Sequence, residues 1–156
     1  MRSRCKLGQS LVEVIVSVGI AVILAIALIS AGLISNKTAR SARNNTEATK
    51  LAEQYIEQIR VFRDRRGYTS AFTSISNDTC YILQIPNSND PSTWSLITSG
   101  CPETFLSGAV NYSRSLLFKD GASANTKLVT ATITWQDSGG TQTVSSQTIL
   151  SLWSVP

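Results

Sequence analysis

The rhythm of apolar and polar positions changes along the chain, and each change predicts an element. From Val14 to Ile34 the residues are mostly Val, Ile, Leu and Ala, with no charge among them. At a rise of ~1.5 Å per residue, such a helix spans roughly 30 Å, the thickness of a bilayer's hydrocarbon core. Asn36–Asn45 is polar and rich in Ser, Thr and Asn, a composition that is only weakly helical by itself. A stripe follows at Ala48, Ala52, Tyr55, Ile59 and Phe62, spaced 4, 3, 4 and 3 apart and flanked by Leu51 and Ile56. That is the period of an amphipathic helix. Arg63-Asp64-Arg65-Arg66 and then Gly67 read as a basic last turn and its C′ glycine. No proline precedes Pro86, so one helix of roughly 85 Å is predicted from Gln9 to Arg66.

Beyond Gly67 the period falls to two. Cys80–Ile85 reads as a strand stopped by Pro86. Asn87–Asn111 reads as loop, with Trp94–Ile97 as a short strand inside it and Trp94 exposed. Tyr112–Phe118 alternates, placing Tyr112, Arg114, Leu116 and Phe118 on one side, and Lys119-Asp120-Gly121 reads as a turn. Lys127–Trp135 puts Val129, Ala131, Ile133 and Trp135 on one face and Thr130, Thr132 and Thr134 on the other, the pattern of a half-buried antiparallel strand. After a turn at Asp137-Ser138-Gly139-Gly140, Thr143–Trp153 returns with Val144, Leu150 and Leu152 inward and its threonines and serines outward. The predicted fold is α+β: a long N-terminal helix laid across a three- or four-stranded antiparallel sheet. In so small a domain the amphipathic half of the helix supplies much of the core.

Charge adds an orientation. The net charge is +4, and its excess lies early. Arg2, Arg4 and Lys6 precede the apolar run with no acid among them, which keeps the N-terminus cytoplasmic and the C-terminal domain outside. Lys37, Arg40, Arg43 and Lys50 weaken that asymmetry. The later half is near neutral and offers no nucleic-acid footprint.

Catalysis is not expected. The chain has no histidine, the usual general base. Asp78, Asp90, Asp120 and Asp137 each neighbour Asn, Gly, Ser or Pro, where turn formation explains them. A calcium site at Asp90 or Asp120 has no supporting spacing. With no histidine and no CxxC, no metal site and no cofactor are expected.

The anomaly is Glu13, a carboxylate at the mouth of the apolar span. An acid there costs up to ~2.5–3.5 kcal/mol at mid-bilayer and less near the interface. Either it sits high enough to reach headgroups, or it meets a cationic partner.

Lys6-Leu7-Gly8-Gln9-Ser10-Leu11-Val12-Glu13-Val14-Ile15-Val16 resembles a class III signal of type IV prepilins: a short basic leader, a glycine at the cut, a glutamate at the fifth mature position and an apolar helix. The resemblance implies the type IV pilin fold. It makes residues 1–8 a removed leader, 9–35 a transmembrane and assembly helix, 36–66 its amphipathic continuation, and 67–156 an extracytoplasmic β-rich domain. Prepilin peptidase would cut between Gly8 and Gln9 and methylate Gln9. The first mature position, most often Phe in the family, is Gln9 here. Glu13 would be the assembly carboxylate, meeting the terminal amine of a neighbouring subunit in a low dielectric. Removal of the leader takes Cys5 with it and leaves Cys80 and Cys101 as one possible disulfide, or as two free thiols.

Leu51–Arg60, Leu128–Asp137 and the Leu152-Trp153 ending are similar, more loosely, to minor pilins of the PilV kind and to pseudopilin I of type II secretion. Those are low-abundance subunits that sit at a filament tip or prime its assembly. The implied partners are other pilins or pseudopilins through the N-terminal helix, prepilin peptidase, the inner-membrane assembly platform, and membrane lipid before assembly. A cleavable secretory signal peptide fits poorly, because the apolar run is too long and Ile29-Ser30-Ala31 is a poor cleavage site. An uncleaved signal anchor carrying a binding or adhesin domain stays open, with the Trp94 loop and Arg63–Arg66 as its contacts.

Overall fold

The computed structural model describes residues 7–72, 74–123 and 125–151, with the backbone alone at residues 7–10, 68 and 69. Contacts divide the chain into two units, Met1–Ser41 and Ala42–Pro156. A single helix, α1 (Leu7–Arg66), supplies the described part of the first unit and the opening of the second. The polar residues 36–45, weak helix formers alone, are helical throughout. Its last turn closes as the composition predicts: Gly67 N–H donates to the Arg63 carbonyl at 2.8 Å with φ at 76°, a conformation that favours glycine. A short helix, α2 (Tyr68–Phe72), which the sequence pattern does not announce, follows at once.

In the second unit six strands form one antiparallel sheet: β1 (Cys80–Gln84), β2 (Ser95–Ile97), β3 (Glu103–Ser107), β4 (Val110–Asp120), β5 (Thr126–Asp137) and β6 (Gly140–Ser151). The order is β2-β1-β4-β5-β6. One edge of β4 pairs with β5 from Tyr112 to Asp120. The other edge is shared, by β3 along Val110–Arg114 and by β1 at Leu116 and Leu117. The protein is thus α+β, with a long N-terminal helix packed through its second half on a small antiparallel sheet.

The sheet, expected to have three or four strands, has six. The short strand expected inside the loop joins it as β2, and β3 is new, inside a stretch expected to be loop. Its flanking breakers, Pro102 and Gly108, do not interrupt it. They bound it, and Gly108 (φ 61°) makes the tight turn into β4. β1 ends one residue sooner than predicted, at Gln84. The turn expected at Lys119-Asp120-Gly121 begins later, because β4 stays paired through Asp120 and the turn is closed by Gly121 N–H donating to the Thr126 carbonyl at 2.9 Å. On β6, Val144 and Leu150 face inward as expected. Ser146 and Thr148 share that face, against the expectation that its hydroxyls point outward. Thr148 tolerates burial because Arg60 Nη2 donates to its Oγ1 at 2.9 Å. The expectations at Cys5, Leu152 and Trp153 lie outside the described residues.

The stripe read from the helix is the stripe that packs: Ala48, Ala52, Tyr55, Ile59 and Phe62 are all buried, with Ile56. Ala48 and Ala52 meet Tyr112, Ile133 and Trp135, where small side chains let helix and sheet approach. Tyr55, Ile59 and Phe62 continue over Leu116, Phe118, Val129, Ala131 and Leu150. Phe118 joins the two ends of this cluster, its ring 5.7 Å from Phe72 and 5.5 Å from Tyr81. Enlarging Ala52 to Leu is expected to lower stability by about 1–3 kcal/mol through overpacking. Denaturant unfolding of the full chain in detergent measures it, and an unchanged midpoint would show that helix and sheet do not meet closely there.

Candidate functional site

The first candidate is the exposed N-terminal helix. Residues 11–40 are all exposed, and an apolar window of mean hydropathy 2.9 within α1 is covered by nothing among the described residues. By length and composition this helix can cross a membrane. Three hydroxyls within it are satisfied locally. Ser17, Ser30 and Thr38 donate to the carbonyls of Glu13, Ile26 and Ile34 at 2.7, 2.9 and 3.0 Å, so none presents a free donor to an apolar surrounding. The Glu13 side chain is exposed and has no ion-pair or hydrogen-bond partner among the described residues. Gly8 and Gln9 lie in the first turns of α1, where the backbone alone is described, and Arg2, Arg4 and Lys6 lie outside the described residues altogether.

The second candidate is the β1–β2 side of the globular unit. A disulfide joins Cys80, the first residue of β1, to Cys101, just ahead of β3, with Cα atoms 5.9 Å apart. Near it a groove of about 490 Å³ is lined by Phe62, Ile75, Tyr81, Trp94 and Leu96, together with Arg66, Ser70, Ser74 and Ser95. Trp94, expected to be an exposed contact, is instead 5% exposed. Its indole N–H donates to the Asn87 carbonyl at 2.7 Å, and its own carbonyl accepts from Arg66 Nη2 at 3.0 Å. The correction has a physical cause. The turn from Pro91 to Thr93, capped by Asp90, folds the indole back onto the core. Asp90 is occupied by that role: two hydrogen bonds from Ser92 hold its carboxyl below the usual range. Arg63 pairs with Asp64 at 2.7 Å.

A third feature is a caged cation. Arg114 faces inward on β4, its guanidinium 4.7 Å from the Tyr55 ring centroid and 5.2 Å from that of Phe105, and its Nε 2.6 Å from Glu103. An arginine alternating with Tyr112 and Leu116 was a signal in the sequence that such partners had to exist; their identity needed β3. Tyr55 accepts the Leu83 N–H at 2.8 Å, and burial raises its phenol. Burial likewise raises Tyr112, with the nearby Glu47 carboxylate adding to it. These are cross-links between layers, with no nucleophile beside a base. Among the described residues no group of three or more His, Cys, Asp or Glu could hold a metal ion.

Comparison with protein-family models, with curated proteins and with solved structures finds no match to this chain.

At the β4–β5 end, Lys127 Nζ and Asn77 Nδ2 both donate to Asp120 at 2.6 Å, and the Lys127 bond followed by that of Asn77 holds the carboxyl below its ordinary value. A carboxyl depressed by folding stabilises above its unfolded pKa and loses that contribution as pH falls through the folded value. Stability should therefore fall below about pH 4, with a shallower fall in Asp120→Asn. Urea titrations at several acidic pH values would reveal it, and identical slopes would exclude the cluster as a source.

Proposed function

We propose that this chain is a structural assembly subunit, a minor pilin built into, or priming, a type IV pilus-like filament. The observation that carries the reading is the stretch of helix that the described residues leave uncovered: exposed from 11 to 40, apolar up to Ile34, and interrupted there by a single acid at Glu13. A surface of this length is covered either by lipid or by equivalent helices. The carboxylate favours a place where an amine is supplied by a neighbour, since alone it is costly in an apolar medium. Before assembly the subunit spans the inner membrane once, N-terminus in the cytoplasm and globular unit outside. Prepilin peptidase removes the residues up to Gly8 and methylates Gln9, and the assembly platform draws the subunit into the bundle of other pilins. Its role is packing, not catalysis.

A minor pseudopilin of type II secretion has the same chemistry and is the second form of this reading. The signal-anchored binding domain stays as the alternative of another class: of its expected contacts the Trp94 indole is buried, while Arg65 and Arg66 of the Arg63–Arg66 turn are exposed.

Mass analysis of the N-terminal peptide after co-expression with a prepilin peptidase tests the reading. The expected product begins at methylated Gln9, whereas an intact N-terminus would return the chain to an anchored domain. Glu13→Ala should be processed normally but incorporated into filaments about tenfold less or worse, the equilibrium consequence of losing ~1.4 kcal/mol or more of pairing. Incorporation at the unmodified level would remove Glu13 from assembly.

A further inference from the structure

The sheet ends on β6, whose second edge pairs with no strand among the described residues. Exposed edges are ordinarily blunted by shortness, charge, proline or a bulge, because their free N–H and C=O groups template another strand. The opposite side of this sheet is blunted in that way: β2 has three residues, and β3 has five and carries Glu103. β6 has none of these devices. It is twelve residues long, keeps an unbroken register with β5, and contains no proline and no charged side chain. Its outward face also leaves Ile149 at 64% exposure. The neighbouring outward rows are equally neutral, Ser113-Thr134-Thr143 and Ser115-Thr132-Ser145.

A regular row of main-chain donors and acceptors is complementary to an extended polypeptide strand. We propose that β6 pairs edge to edge with β6 of a second copy of this chain, joining two sheets into one. The charge pattern selects the occupant. A charged strand would find no counter-charge on β6, whereas β6 itself brings none, and a self-complementary patch is what a two-fold interface requires. Residues 42–156 carry as many basic as acidic side chains, so two globular units approach without net repulsion. The inference does not depend on filament assembly and holds whether or not the N-terminus is processed.

Light scattering of the full chain in detergent, corrected for bound detergent, is the test. The unmodified protein at about 100 µM is expected to be a dimer. The triple variant Thr143→Lys, Ser145→Lys, Gln147→Lys changes only exposed positions and sets like charges along both edges. It should raise the dimer dissociation constant about tenfold or more, as should the corresponding triple glutamate variant. Mixing the two variants in equal amounts should restore the dimer, which also shows that both are folded. A monomeric unmodified protein overturns the proposal. So does a dimer indifferent to these variants, which would place association in the apolar helix, and so does a mixture that stays monomeric.

Discussion

Everything in the globular unit depends on one contact surface, the buried stripe of α1 against the inner face of β4, β5 and β6. The sheet does not close a core by itself: β5, between β4 and β6, carries Val129, Ala131, Ile133 and Trp135 on its buried face and Thr130, Thr132 and Thr134 on the other. The helix supplies the missing layer. It does so at two depths: Ala48 and Ala52 permit close approach, and Tyr55, Ile59 and Phe62 fill a wider gap with larger side chains. Earlier in the same helix, residues 14–34 are apolar on every side and exposed, and a polar stretch at 36–40, exposed as well, separates them from the part that the sheet covers.

Three polar groups at this interface are tied to the element they face. Tyr55 reaches from the helix to the Leu83 amide, Arg60 from the helix to Thr148, and Arg114 from β4 into a cage completed by the helix and β3. Apolar contacts of this kind are forgiving about sliding; a phenol seeking one particular N–H is not. These bonds fix the register of helix on sheet, while burial of apolar area supplies most of the driving force.

Where the local pattern and the tertiary environment ask for the same thing, the sequence is easy to read. The alternation from Val129 to Trp135 and the spacing from Ala48 to Phe62 each state a buried face, and both faces are buried. β3 was hidden because Pro102 and Gly108 are breakers in one dimension and hairpin boundaries in three. Trp94 was misjudged because its neighbours are Pro, Ser and Thr, and nothing local says that the turn directs the indole to the core. Thr148 reads as a surface residue until Arg60, far away in sequence, is brought beside it. Glu13 is legible as an anomaly from the sequence alone, and its side chain has no ion-pair or hydrogen-bond partner among the described residues.

The shared edge of β4 has a mechanical consequence. β3 and β1 lie end to end along it and together take the place of one long strand, yet each holds by only a few pairings. Two short strands loaded in tension would peel one after the other, each release exposing the next. The disulfide between Cys80 and Cys101 sits at their junction and splices them covalently. A pull on either is carried by both, and the edge fails, if it fails, as a single seam.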